Sequence, residues 1–124
     1  MNATQLPFLV EGILILATAG LGAWVRAKTK PYGKVRLGFH LFFFLWFTTG
    51  YGFIASAFAA HPGTPSLWVP LILMGLAILT QLASGITALV VKAVPKALPM
   101  IHGGAAAVLF LSAVAGVFLA GSPA

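Results

Sequence analysis

The sequence predicts an all-α integral membrane protein, folded as an up-down bundle of four helices. Of its 124 residues, 60% are hydrophobic and only 6% are charged, and the mean hydropathy is +1.06. All seven Lys and Arg residues lie in two short segments, 26–36 and 92–96, and long apolar runs surround them. Because so few polar groups cannot coat a water-soluble globule, we expect residues 1–124 to form a single membrane domain.

Four apolar stretches are each long enough to cross a bilayer, which takes about 20 residues per helix. The predicted spans are residues 6–25, 37–60, 67–91 and 98–121. The loops between them are short, so consecutive helices must be antiparallel neighbours. Spans two and four therefore run in the same direction and lie diagonally across the bundle.

The first two spans differ in character. The first contains Glu11, the only acidic residue of the chain, and several glycines that allow a neighbouring backbone to approach closely. The second begins after Arg36, carries His40 four residues further on, and is dense in aromatic residues. Aromatic side chains in such a helix suit lipid contact, helix packing or the walls of a flat ligand.

The last two spans carry polar and small residues at selected positions. The third follows a turn rich in Pro and Gly, residues 61–66, which ends one helix and starts the next. Its main polar residue is Gln81, on an aliphatic background. The fourth carries His102 near its start and, at four-residue spacing, the small residues Ser112, Gly116 and Ala120. Such a stripe is typical of close helix contacts.

The distribution of basic residues predicts the orientation of the chain. Five Lys and Arg residues lie in the first loop and two in the third, while the tails and the second loop have none. By the positive-inside rule, both termini face outwards, in a bacterial inner membrane or a comparable energy-transducing membrane. The N-terminus has no basic residue before its apolar run, so we expect the first span to be retained rather than cleaved as a signal peptide.

Composition also excludes several classes of function. The basic residues flank apolar spans, where they set topology and contact lipid headgroups, so we do not expect nucleic-acid binding. The chain has no cysteine, which excludes disulfides, iron–sulfur clusters and covalently attached c-type haem. Any haem must therefore be bound without a covalent link.

His40 and His102 are the main candidates for a functional site. A lone imidazole inside lipid is costly, and each of these two lies about 6 Å inside its span from the basic end. Because these depths are equal, the two imidazoles lie level. Because spans two and four are diagonal, the imidazoles face the bundle centre from opposite sides. This arrangement predicts that both bind one haem iron.

The neighbouring residues fit a haem. Phe43, Phe44 and Phe47 lie one to two turns beyond His40 and are suited to wall a porphyrin, and Gly103 beside His102 allows its edge to approach. At the basic rim, Arg36, with Lys34 or Lys96, is expected to bind the haem propionates.

Two other readings of the histidines stay open. Each could be an independent interfacial residue that reaches water or a carbonyl group. A metal site without a porphyrin is less favoured, because no third Asp, Glu, His or Cys lies at that level of the sequence.

Glu11 and His61 form a second, weaker candidate on the outer side. Glu11 lies about five residues into the first span, with no Lys or Arg available there to pair with it. It could be protonated, reach water from a shallow position, or meet His61, the only other titratable side chain on that face. The sharper interpretation assigns both residues to proton handling. The plainer one makes Glu11 a wet surface group and His61 an interfacial loop residue.

Three short segments resemble a known family. They are KVRLGFH ending at His40, AAHPG around His61 and KALPMIHGG around His102. Together, over roughly residues 34–121, they are similar to the ascorbate-reducible transmembrane cytochromes b and their small bacterial four-helix relatives. The resemblance implies that the second and fourth helices supply one pair of haem ligands, which correspond to His40 and His102. In that family the first and third helices supply a second pair. Here the first span has Glu11 in place of a histidine, so we expect one haem b.

The leading hypothesis is therefore a membrane-anchored b-type cytochrome subunit. It would pass single electrons between a quinone or a soluble donor and a redox partner protein, within a homo- or hetero-oligomer, without being an enzyme by itself. Two alternatives stay open: a small proton-coupled exporter that uses Glu11, and a structural subunit of a larger membrane complex that has no cofactor.

Overall fold

The computed structural model describes residues 1–27 and 30–121. Within these residues the chain forms four α-helices and no β-strand, and a short 3₁₀ turn, Pro65–Leu67, leads into the third helix. The helices are α1 (Gln5–Arg26), α2 (Lys34–Ala60), α3 (Trp68–Val90) and α4 (Ala97–Ala120). Each is long and apolar enough to cross a membrane. The predicted all-α fold of four helices is confirmed, with helix ends within a few residues of those expected.

Polar side chains near the N-terminus join the two ends of the chain. The Oδ1 atom of Asn2 accepts hydrogen bonds from the backbone N–H groups of Thr4 and Gln5, which begin α1. The side-chain amides of Asn2 and Gln5 donate to carbonyl oxygens of Ala120 and Val117, at 3.1 and 3.0 Å. These bonds satisfy carbonyls that the end of α4 leaves without helical partners. The start of α1 and the end of α4 therefore lie at one end of the bundle, and the side of the membrane that this end faces stays a prediction from charge.

The four helices are arranged in chain order around the bundle. Helix α1 packs along α2 and α4, and α3 packs along α4, whereas α2 and α3 touch only sparsely. The helices that carry His40 and His102 are thus diagonal, as the short loops predict. The sparse contact between α2 and α3 leaves that side of the bundle loosely closed.

The tightest packing lies away from the basic loops. Phe8 of α1, Phe47 of α2, Met74 of α3 and Leu109 of α4 are all at most 1% exposed. At Gly116 the ring of Phe8 occupies the space that a side chain would need. The small residues of α4 therefore mark a close helix contact, as predicted, and it is formed within the chain between α1 and α4.

Large apolar side chains cover the outside of the bundle. Phe53 and Val90 are both 74% exposed and Phe118 is 73% exposed, and every helix also has at least one exposed leucine. A water-soluble monomer rarely exposes such a continuous apolar surface. This surface is matched to the hydrocarbon core of a lipid bilayer.

The contact between Phe8 and Gly116 provides a test of the packing. We expect Gly116→Ala to lower the free energy of unfolding by about 1–3 kcal/mol, because the new methyl group would overlap the Phe8 ring. Gly20→Ala is the matched control, since nothing lies within 4 Å of its added methyl group. Unfolding titrations in detergent micelles would compare the two, and equal stability of both variants would contradict the packing described here.

Candidate functional site: a cavity around two histidines

A large cavity lies inside the bundle at the end that carries the basic loops. Its volume is about 910 Å³, and all four helices contribute to its walls. The lining residues furthest from the basic loops are Ile15, Phe47, Gln81 and Leu109. Ligand-binding pockets in proteins commonly measure about 300–1,000 Å³, so this cavity can take a ligand of substantial size.

His40 and His102 both line this cavity and face each other across it. The centroids of the two imidazole rings are 6.3 Å apart, and the ring planes are inclined at 57°. Both side chains are half-buried. The two histidines are therefore at one level and close together, as their positions in the sequence predict.

A backbone carbonyl of α1 fixes the proton on His40. Its Nδ1 atom lies 2.9 Å from the carbonyl oxygen of Thr18. A carbonyl oxygen only accepts hydrogen bonds, so Nδ1 must carry the proton and donate it. The neutral ring then has its free lone pair at Nε2. The edge of the ring packs on Gly22, where a Cβ atom would lie only 2.9 Å from Cε1 of His40.

Two polar side chains of α3 hold His102 in a similar way. The Nδ1 atom of His102 lies 2.7 Å from Oγ of Ser84, and the amide of Gln81 donates to the carbonyl oxygen of His102 at 2.7 Å. The hydroxyl of Ser84 already donates to the carbonyl oxygen of Thr80, at 2.7 Å. With its own proton donated to Thr80, the Ser84 oxygen can accept the proton of Nδ1, which leaves Nε2 of His102 with a free lone pair.

The two rings thus present the same nitrogen atom. In metal-binding histidines, the nitrogen that does not bind the metal usually donates to a carbonyl, carboxylate or water, which fixes the ring and makes the other nitrogen more basic. Both His40 and His102 have such an acceptor. The sequence pattern predicts the two histidines but not these acceptors. The one sign in the sequence that α3 contributes to the site is Gln81, the main polar residue of its span.

Some of the predicted wall residues lie at the cavity and others do not. Phe44, Phe47 and Gly103 line it. Phe43 packs instead against the core and against the rings of Phe42 and Trp46, at centroid distances of 5.9 and 5.5 Å. Its position one residue before Phe44 turns it towards a different side of α2, because neighbouring helical residues do not share a face.

Arg36 is also placed away from the cavity. Its Nη1 atom donates to the carbonyl oxygen of Trp24 at 2.9 Å, and its guanidinium lies 4.7 Å from the centroid of the Trp24 ring. Arg36 thus binds the C-terminal end of α1, where a cation is favoured by the helix dipole. Lys34 does not line the cavity either, whereas Lys96 does.

Three other cations surround the cavity together with Lys96: Arg26, Lys30 and Lys92. The Nζ atom of Lys30 donates to the carbonyl oxygens of Ala88, Leu89 and Val91, and so closes the C-terminal end of α3. In the described part of the chain, three basic side chains are exposed and have no hydrogen-bonding partner: those of Arg26, Lys92 and Lys96. The cavity therefore opens beside several cations that are free to bind an anionic group.

Glu11 and His61 are not brought together. Glu11 is only 2% exposed and its carboxyl group packs against Gly50 of α2. His61 is exposed and ends α2, eleven residues after Gly50, which is about 16 Å along a helix. The carboxyl of Glu11 therefore neither reaches His61 nor lies at a wet surface. Its Oε2 atom has no hydrogen-bond partner among the described residues.

In residues 1–27 and 30–121, no group of three or more His, Cys, Asp or Glu side chains comes together. No protein-family model matches the sequence, and neither a curated protein nor a solved structure matches it. What the cavity binds is therefore inferred from its own side chains.

The contact between Gly22 and His40 can be tested without any ligand. We expect Gly22→Ala to displace the His40 ring from the Thr18 carbonyl, because the added methyl group would overlap Cε1. The Nδ1–H signal of His40 in NMR spectra of ¹⁵N-histidine-labelled protein would then shift and exchange faster with water. Gly38→Ala is the control on α2, since nothing lies within 4 Å of its added methyl group. An unchanged His40 signal in Gly22→Ala would contradict the contact.

Proposed function

We propose that this chain is a membrane-anchored b-type cytochrome subunit that transfers single electrons. One haem b would be held between His40 and His102, near the cytoplasmic side if the positive-inside rule gives the orientation. The observation that carries the proposal is the pair of facing imidazoles, each with its Nδ1 atom within hydrogen-bond distance of an oxygen atom on a neighbouring helix.

The distance between the two rings fits a shared metal. If each imidazole nitrogen lies about 2 Å from one metal atom, the ring centroids are separated by about 6 Å. The observed separation is 6.3 Å. A haem held by both histidines would supply single-electron transfer rather than oxygen binding.

The rest of the cavity favours a porphyrin over a bare metal ion. Two histidines leave a bare ion short of ligands, and no further His, Cys, Asp or Glu joins them within the described residues. The cavity is also far larger than an ion, and aromatic and aliphatic side chains such as Phe44 and Leu109 line much of it. At its mouth, Arg26, Lys92 and Lys96 are suited to bind the two carboxylates of a haem.

The partners of this subunit follow from the depth of the histidines. Both lie near the basic loops, so a quinone, a soluble donor or a redox partner protein would meet the haem from that side of the membrane. The resemblance to the ascorbate-reducible cytochromes b supports the same assignment. One haem is proposed, because His61, the third histidine of the chain, is exposed at the opposite end of α2.

An absorption spectrum of the purified protein tests the proposal. We expect protein expressed with haem supplied to show a Soret band and, after reduction, a sharp alpha band. His40→Ala and His102→Ala should each lose the six-coordinate spectrum, because each removes one axial ligand. His61→Ala is the matched control and should keep the wild-type spectrum.

Circular dichroism would establish that each variant remains helical, so that a lost spectrum reports on the ligand. A helical wild-type protein that stays colourless after haem is added would end the proposal. So would a His102→Ala variant with an unchanged spectrum.

A second candidate function is favoured by one observation at Glu11. A carboxyl group that is 2% exposed, without a hydrogen-bond partner at Oε2, lies between α1 and α2. Buried acidic side chains in membrane spans commonly mark proton or substrate pathways. Helix α1 begins at Gln5, so Glu11 is about 9 Å along that helix and deeper than a surface group. We propose a proton-coupled exporter as the alternative.

Proteoliposomes separate this alternative from the cytochrome. An exporter would move lipophilic cations in response to a pH gradient, and we expect Glu11→Gln to abolish that movement because the amide cannot bind or release a proton at neutral pH. His61→Ala should leave it unchanged. Absence of any gradient-driven movement in the wild type would exclude the exporter.

A further inference from the structure

The two buried polar residues of α3 contact one partner. Gln81 and Ser84 are each 5% exposed, and they lie three residues apart. Both contact His102 of α4: Gln81 through the backbone carbonyl and Ser84 through the ring. Residues at this spacing share one helix face, so the two contacts form a single clamp.

A serine inside a membrane helix usually needs no partner beyond its own helix. Its hydroxyl can donate to the carbonyl four residues earlier, and Ser84 does so with Thr80. Thr80 and Thr87 make the same kind of bond, to Leu76 and Ala83, but both are exposed. The contact with His102 is therefore an addition that sets Ser84 apart from these two threonines.

The direction in which the Ser84 hydroxyl points determines which ring nitrogen of His102 carries the proton. Two carbonyl oxygens of α3 lie within reach of its proton, that of Thr80 at 2.7 Å and that of Gln81 at 3.2 Å. With the proton donated to either of them, the Ser84 oxygen accepts from His102, and the imidazole proton lies on Nδ1. We propose that Ser84 is the positioning residue that fixes this tautomer and so keeps Nε2 of His102 free for the iron, an assignment whose ligand rests on the proposed function.

Gln81 completes the clamp by holding the backbone at His102. Its amide nitrogen lies 2.7 Å from the His102 carbonyl oxygen, which limits rotation and sliding of α4 against α3 at this point. His40 obtains the same tautomer in a different way, from a backbone carbonyl. No substitution can delete that acceptor, whereas the hydroxyl that contacts Nδ1 of His102 belongs to a side chain and can be removed.

The acceptor has consequences for ligand binding. A hydrogen bond donated by Nδ1 makes Nε2 more basic, and loss of such a partner typically weakens metal binding by about 10–100-fold. A more basic ligand also favours the oxidised over the reduced metal. We therefore expect Ser84→Ala to bind haem about ten-fold more weakly or worse, and to raise the reduction potential of the bound haem.

NMR of the ligand-free protein tests the tautomer directly. Full-length protein labelled with ¹⁵N-histidine would be compared in micelles as wild type, Ser84→Ala, Ser84→Thr and Ser112→Ala. We expect the Nδ1–H tautomer of His102 in the wild type, a mixture of tautomers in Ser84→Ala, and recovery in Ser84→Thr, which keeps a hydroxyl. Ser112→Ala is the matched control, since Ser112 is also 5% exposed but lies about 15 Å further along α4.

The outcomes separate this proposal from the cytochrome assignment. A wild-type His102 with its proton on Nε2 would overturn the role of Ser84, and this measurement needs no variant. An unchanged tautomer in Ser84→Ala would do the same. If the tautomers behave as expected and the wild type binds no haem, Ser84 still positions His102 but the proposed haem binding is wrong.

Discussion

The arrangement of the bundle depends on the free-energy cost of placing a polar group inside lipid without a hydrogen-bond partner. Water is absent from the bilayer core, so a polar group in a span is stabilised by a hydrogen-bond partner within the protein. Among the buried side-chain atoms of the described residues, only Oε2 of Glu11 and Oγ1 of Thr48 lack one. His40 and His102 meet this requirement through Thr18 and Ser84, on the helices next to their own. The same bonds orient the two rings, so one constraint explains how the histidines are tolerated and how they come to face each other.

Each half of this site is built by one helical hairpin. In the first, α1 supplies the acceptor and Gly22 for His40 of α2. In the second, α3 supplies the acceptor and Gly85 for His102 of α4, with the ring 3.6 Å from the position of a Gly85 Cβ. The hairpins are joined mainly through α1 and α4, whereas α2 and α3 barely touch. The cavity lies between the two half-sites, and its least sealed side is the boundary between α2 and α3.

The sequence predicts those features that depend on long or periodic signals. Hydropathy predicts the four spans. Spans two and four both follow a basic loop and run in the same direction, which places the two histidines level. The spacing of small residues predicts the contact at Gly116. Contacts with backbone atoms cannot be predicted in this way. Arg36 is near His40 along the chain, but its guanidinium donates to the carbonyl oxygen of Trp24 at the end of α1. The Thr18 acceptor is a backbone atom and leaves no trace in residue type, so only the structure reveals it.

The depth of the histidines limits the electron path that the proposed cytochrome can support. His40 lies six residues after the start of α2, about 9 Å from that end, and about 30 Å of helix separates it from Ala60. A single centre at this level can exchange electrons with partners at the basic face, or with an apolar carrier that enters from the lipid. It cannot pass them to the opposite face by itself.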